Sequence, residues 1–130
     1  MTEAVTFDAL TAGSCLGSCA MAVTACDVAA FDGLLPRPAV PGSVPPGFAV
    51  ALMMRGYMSI LPRRPPGNIH ASLQLEWGVP LTIGDRVRLS LRCAGKEWRR
   101  GRPWVRFESM LERADGALVL AGTKWMVWAA

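Results

Sequence analysis

The chain has 130 residues, 52% of them apolar and 18% charged, with a formal net charge of +4. That length suits one domain, 1–130, built on a single core, and the composition excludes a disordered chain. The longest apolar run, 48–54, is halted by Arg55 and is too short to span a bilayer, and residues 1–8 lack the basic start and apolar stretch of a secretory signal, so a cytoplasmic protein with no membrane partner is expected.

In chain order, 5–23 reads as an irregular entry segment broken at Gly13 and Gly17. Thr24 followed by Asp27 has the form of a capping box, so a short helix is predicted from Ala25 to about Asp32, closed by Gly33. From Leu34 to Val44, Pro36, Pro38, Pro41 and Gly42 forbid regular structure and predict a stiff loop. Pro45 and Pro46 suit the first turn of a second helix, which Pro62 ends. Only Arg55 and Ser59 make a polar strip on it, so this helix is predicted to be buried nearly all round, with a sheet against it.

The strands follow. Over 71–77, Leu73, Leu75 and Trp77 alternate with Ser72, Gln74 and Glu76, and over 86–93 Val87, Leu89, Leu91 and Cys93 alternate with Arg86, Arg88, Ser90 and Arg92. A strand over 104–113, a hairpin at Asp115-Gly116 and a strand over 118–128 complete an antiparallel meander. The last strand reads as apolar on both faces, which predicts a central or interface position. Its apolar side chains on both faces, Trp125 and Val127 against Met126 and Trp128, predict burial in a dimer. The arginines of 86–92 are placed to face Glu108 and Glu112 across the sheet.

The cysteines, Cys15, Cys19, Cys26 and Cys93, form no C-x-x-C pair, and His70 is the one histidine. No zinc site is expected, and the thiols are expected to be reduced and mostly buried. Charge is uneven: 1–65 carries four basic and four acidic residues, 66–130 ten and six. Twelve of the fourteen cations are arginine, suited to phosphate, and Lys96, Arg99, Arg100, Arg102 and Arg106 gather around one predicted hairpin connection. No nucleic-acid-binding motif accompanies them, so a polyanionic small molecule or a solvated hairpin tip is the expectation rather than nucleic acid.

Thr6-Phe-Asp-Ala-Leu-Thr-Ala-Gly-Ser and Met21-Ala-Val-Thr-Ala-Cys-Asp-Val-Ala-Ala-Phe are followed by Pro66-Gly-Asn-Ile-His-Ala-Ser-Leu-Gln-Leu-Glu-Trp, Pro80-Leu-Thr-Ile-Gly-Asp-Arg-Val and Ala114-Asp-Gly-Ala-Leu-Val-Leu-Ala-Gly-Thr. Together, in this order, they resemble MaoC-like hotdog domains over about 6–128. The resemblance implies an α+β hotdog fold, a curved antiparallel sheet wrapped around a long central helix. It also implies a homodimer, or a heterodimer with another hotdog subunit, and acyl-CoA or another acyl thioester as ligand, with no cofactor. Many such proteins hydrate trans-2-enoyl-CoA or dehydrate 3-hydroxyacyl thioesters. They use an Asp and a His five residues apart, after the short helix, to activate one water, with the thioester carbonyl polarised by N–H donors.

Here the sequence departs from the pattern: five residues beyond Asp32 stands Arg37, and 34–44 contains neither histidine nor acid. The candidate catalytic residues are therefore Asp32, as a lone water-activating carboxylate of the thioesterase kind, and His70, as a base or donor at the acyl tunnel. Against them stand plainer roles, a helix-ending Asp beside Gly33 and a strand-entry His bonded to backbone. The candidate ligand contacts are Arg55, Tyr57, Asn68, Lys96, Arg99, Arg100 and Arg102. Arg55 is expected to pair with an acid across a dimer or to reach a thioester or phosphate, since a lone buried cation is too costly. Three readings follow: a noncatalytic acyl-thioester-binding subunit whose partner supplies the Asp and His, a hydratase or thioesterase with substituted residues, and a structural or regulatory homodimer binding another apolar ligand.

Overall fold

The structure is a computed structural model that describes residues 4–34 and 43–129. Most of the stiff loop predicted over 34–44 lies outside the described residues. Seven elements follow one another: β1 Cys15–Ala22, α1 Ala25–Asp32, α2 Pro46–Ile60, β2 Ile69–Trp77, β3 Arg86–Arg99, β4 Arg102–Arg113 and β5 Leu118–Val127. All strand pairs are antiparallel, in the order β1-β3-β4-β5-β2. The meander of β3, β4 and β5 thus occupies the middle, β5 is an interior strand as its apolar sequence demands, and β1 and β2 form the two edges.

The helices begin and end where their caps dictate. The Thr24 hydroxyl accepts from the Asp27 N–H at 3.1 Å and opens α1, and the Gly33 N–H closes it on the carbonyls of Ala29 and Phe31. In α2, Pro45 and Pro46 occupy the positions where a missing N–H costs nothing. Its fifteen residues rise by about 22 Å and lie against β1, β3, β4 and β5. Phe48, Ala49, Leu52, Met53 and Tyr57 face the sheet. Gly56 lets helix and sheet approach, because a Cβ there would run into the Leu89 side chain.

The core has two lobes. Phe48, Leu52, Leu89, Leu111 and Leu120 fill one, and Leu10, Tyr57, Leu91, Phe107 and Trp128 the other. Trp128 closes the second lobe, with its indole N–H donating to the Val5 carbonyl at 2.8 Å and its ring 5.5 Å from that of Phe107.

Four expectations need correction. The entry segment is not irregular throughout: 15–22 is the edge strand β1, and its bulge beside Gly17 (φ +147°) is what disguises the alternation. The second helix exposes more than the expected strip of Arg55 and Ser59, since Met58 and the first-turn Pro46 and Gly47 are exposed too. Only Cys93 is buried among the thiols, with Cys15 and Cys26 exposed. Finally, Met126 and Trp128 lie in this chain's own core, so they require no second subunit to cover them.

Candidate functional site

The corner between α1 and α2 carries the first group of candidates. Asp32 closes α1 and is half-buried. The segment after it, which includes Arg37 at the dyad spacing, lies outside the described residues. Arg55 is not a buried cation seeking a distant acid. Its side chain is half exposed and pairs at 3.6 Å with Asp27 of α1, so it ties the two helices together. Between the first turn of α2 and the connection leaving β2 opens a cleft of about 320 Å³, lined by Val44, Pro46, Ala49, Trp77, Val79 and Leu81. Among the described residues its lining is apolar, so it suits an apolar group.

His70 lies at the opposite end of edge strand β2 from Trp77, where it is exposed and opposite Met126 of β5. Its Nε2 is 3.1 Å from the Ser72 carbonyl, to which the ring N–H donates. Among the described residues no carboxylate orients the ring. Asn68, just before β2, accepts from the Ala129 N–H at 2.6 Å through Oδ1, while its Nδ2 is buried without a partner.

Tyr57 and Lys124 form the most unusual group in the molecule. Tyr57 is buried edge-on against Phe107, with ring centroids 5.7 Å apart, and its hydroxyl has no hydrogen-bond partner. Burial pushes that phenol up to about 12, and nearby Arg64 moderates the rise. Lys124 of β5 is 3% exposed and sets its ammonium 3.1 Å from the centroid of the Tyr57 ring. Arg64 stands 5.6 Å from the same centroid. Burial, with a smaller push from Arg64, depresses the Lys124 amine to about 8. No ion pair reaches Lys124 among the described residues. Sequence reading missed it, although one charge in an otherwise apolar strand, in phase with Leu120, Met126 and Trp128, was signal enough.

The arginine-rich hairpin tip does not form one patch. The turn forms at Arg100-Gly101, both with positive φ, where Arg100 and neighbouring Arg102 are exposed. Lys96 turns to the entry segment, donating to the Phe7 carbonyl at 2.8 Å with its ammonium 4.5 Å from the Phe7 ring centroid. Arg99 is held by Glu97 and lies over Trp104 and Trp125, at 4.6 and 5.0 Å, and Arg106 lies 5.6 Å from Trp125. These cations are spent on aromatic faces rather than pooled for a phosphate. The structure therefore brings Tyr57 beside Lys124 and joins Arg55 to Asp27, but it gathers no single cluster of the candidates.

No protein-family model matches this chain, and no curated protein matches it either. Solved structures do. The (R)-hydratase PhaJ1 of Pseudomonas aeruginosa is 16% identical over 96% of this chain and 86% of its own, with a TM-score of 0.81. A MaoC-like dehydratase from Rhodospirillum rubrum is 21% identical over 95% of this chain and 96% of its own, with a TM-score of 0.77. The HadBC complex of Mycobacterium tuberculosis, a 3R-hydroxyacyl-ACP dehydratase, is 13% identical over 83% of this chain and 89% of its own, with a TM-score of 0.67. The fold is thus the hotdog fold of (R)-hydratases and MaoC-like dehydratases.

Proposed function

We propose that this hotdog chain binds acyl thioesters, acyl-CoA in the first instance, and lacks the ordinary hydratase machinery. The observation that carries the reading is the shared fold, which extends over nearly the whole chain in an (R)-hydratase and a MaoC-like dehydratase. The absent machinery follows from residues: the ordinary mechanism needs an imidazole and a carboxylate on one water. The one histidine instead donates to a backbone carbonyl on an exposed edge strand. An apolar cleft at the start of α2 supports an acyl group as the bound part.

A subunit that binds the thioester while a second hotdog chain supplies the Asp and His is consistent with both facts. The complex formed by the HadBC dehydratase lends that arrangement a structural parallel. Fold likeness supports the ligand class better than any reaction.

The test is mass spectrometry of a trans-2-enoyl-CoA panel incubated with the purified protein. Unchanged thioesters that co-purify with the protein support a binding subunit. Water addition, or release of free CoA, overturns the noncatalytic reading and makes it a hydratase or a thioesterase. In that case Asp32→Asn and His70→Ala are the deciding variants, and turnover unchanged in both removes these two residues from the chemistry.

A further inference from the structure

Lys124 poses a problem that the proposed function does not solve. A buried ammonium is stable when an anion or several acceptors meet it. Here the ammonium meets a tyrosine ring, and the nearest charge that acts on it is the like charge of Arg64. Beside it the Tyr57 hydroxyl is buried with no hydrogen-bond partner. An ammonium has three donors and no acceptor, and a phenol is itself a donor. What this part of the molecule lacks is therefore an acceptor carrying negative charge.

The surroundings indicate how such a group arrives. Leu73 and Leu75 of β2 stand opposite Lys124 and Gly122 of β5, and so share their face of the sheet. On β3, β4 and β5 the residues of that face are buried, yet Leu73 and Leu75 are only half-buried and 69–72 is exposed. The inner layer thus thins toward the β2 edge, next to Lys124. Its margin is apolar and adaptable: Met53 packs so close over Gly122 that a Cβ there would lie 2.8 Å from its sulfur. Half-buried Leu73 and Leu75 beside one ammonium and one hydroxyl match the chemistry of a short aliphatic chain with a terminal carboxylate. Arg64, 5.6 Å from the Tyr57 ring centroid and donating through Nη1 to the Leu61 carbonyl, adds a second positive charge that favours an anion here.

We propose that Lys124 and Tyr57 form a binding site for the carboxylate end of a short aliphatic acid, reached along β2 past Leu73 and Leu75. Two sources share this chemistry, a free dicarboxylate and the distal carboxylate of a dicarboxylic acyl thioester. The second rests on the thioester reading above.

Isothermal titration at pH 7 with glutarate, glutaryl-CoA and pentanoyl-CoA separates them. With wild-type protein, glutaryl-CoA is expected to bind at least tenfold tighter than pentanoyl-CoA. Lys124→Met, an apolar replacement of similar length, is expected to abolish that preference while still binding pentanoyl-CoA, and Tyr57→Phe to weaken it severalfold. Binding of glutarate without either CoA ester, lost in Lys124→Met, upholds the carboxylate site and removes the thioester reading. Equal binding of the two esters, or a preference that survives in Lys124→Met, overturns the carboxylate site and leaves the thioester reading intact. Failure of all three probes to bind removes both.

Discussion

The residue that departs furthest from ordinary packing is Lys124, and its cost is measurable. Its amine, ordinarily near 10.5, is depressed to about 8 by burial. Between those values the unfolded chain holds more protons than the folded one, so stability rises as pH rises from 8 to 10.5, and below 8 the whole penalty is present. A shift of this size corresponds to about 3 kcal/mol. Tyr57 acts in the opposite sense, since its phenol stays protonated up to about 12 in the folded chain. Its contribution is complete below 10 and is lost as pH climbs toward 12. Denaturant melts across pH 7 to 11 are therefore expected to show stability rising from pH 8 toward 10. Lys124→Met is expected to be about 1–3 kcal/mol more stable than wild type at pH 7, and its rise above pH 8 to vanish. A variant less stable than wild type would mean that the ammonium is compensated after all. Thiol accessibility gives a second check at this scale. Burial raises the Cys93 thiol, while Cys15 and Cys26 are exposed. Iodoacetamide in native buffer is expected to label Cys15 and Cys26 and to spare Cys93.

Among the elements, the approach of α2 to β3 is the least forgiving. Gly56 faces Leu89, which is wholly buried. Gly56→Ala is expected to destabilise by about 1–3 kcal/mol in urea melts despite its better helix propensity, because the core has no room for the methyl group. The cross-strand pair is weaker. Arg92 and Glu108 stand 3.6 Å apart with both side chains near half exposure. Arg92→Ala is therefore expected to cost less than about 1 kcal/mol, and less still in high salt. That pair illustrates what sequence periodicity conveys well. Strict alternation from Arg86 to Cys93 identified β3, its face and its partner register, and Thr24 and Gly33 set both ends of α1. Bulges conveyed less: the irregularities beside Gly17 in β1 and between Cys93 and Gly95 in β3 break the period of two. They hid an edge strand and the length of β3, which runs to Arg99. The candidate site was the least legible part. Cations counted along the chain look like one patch, but alternation sends Lys96 to the entry segment and Arg99 to the other face, onto Trp104 and Trp125.

At the scale of the whole molecule, the same fold is found in an (R)-hydratase and a MaoC-like dehydratase, while this chain carries its one imidazole on an exposed edge and, inside, an ammonium that no ion pair reaches among the described residues. The proposed binding of acyl thioesters without the usual proton-transfer pair is therefore tested best on the whole chain and its ligand. The most direct measurement is calorimetric titration of the purified chain with butyryl-CoA, followed by mass spectrometry of the recovered ligand. Saturable binding with the thioester recovered intact is the expected result, and no detectable heat at millimolar ligand would contradict the acyl-thioester account.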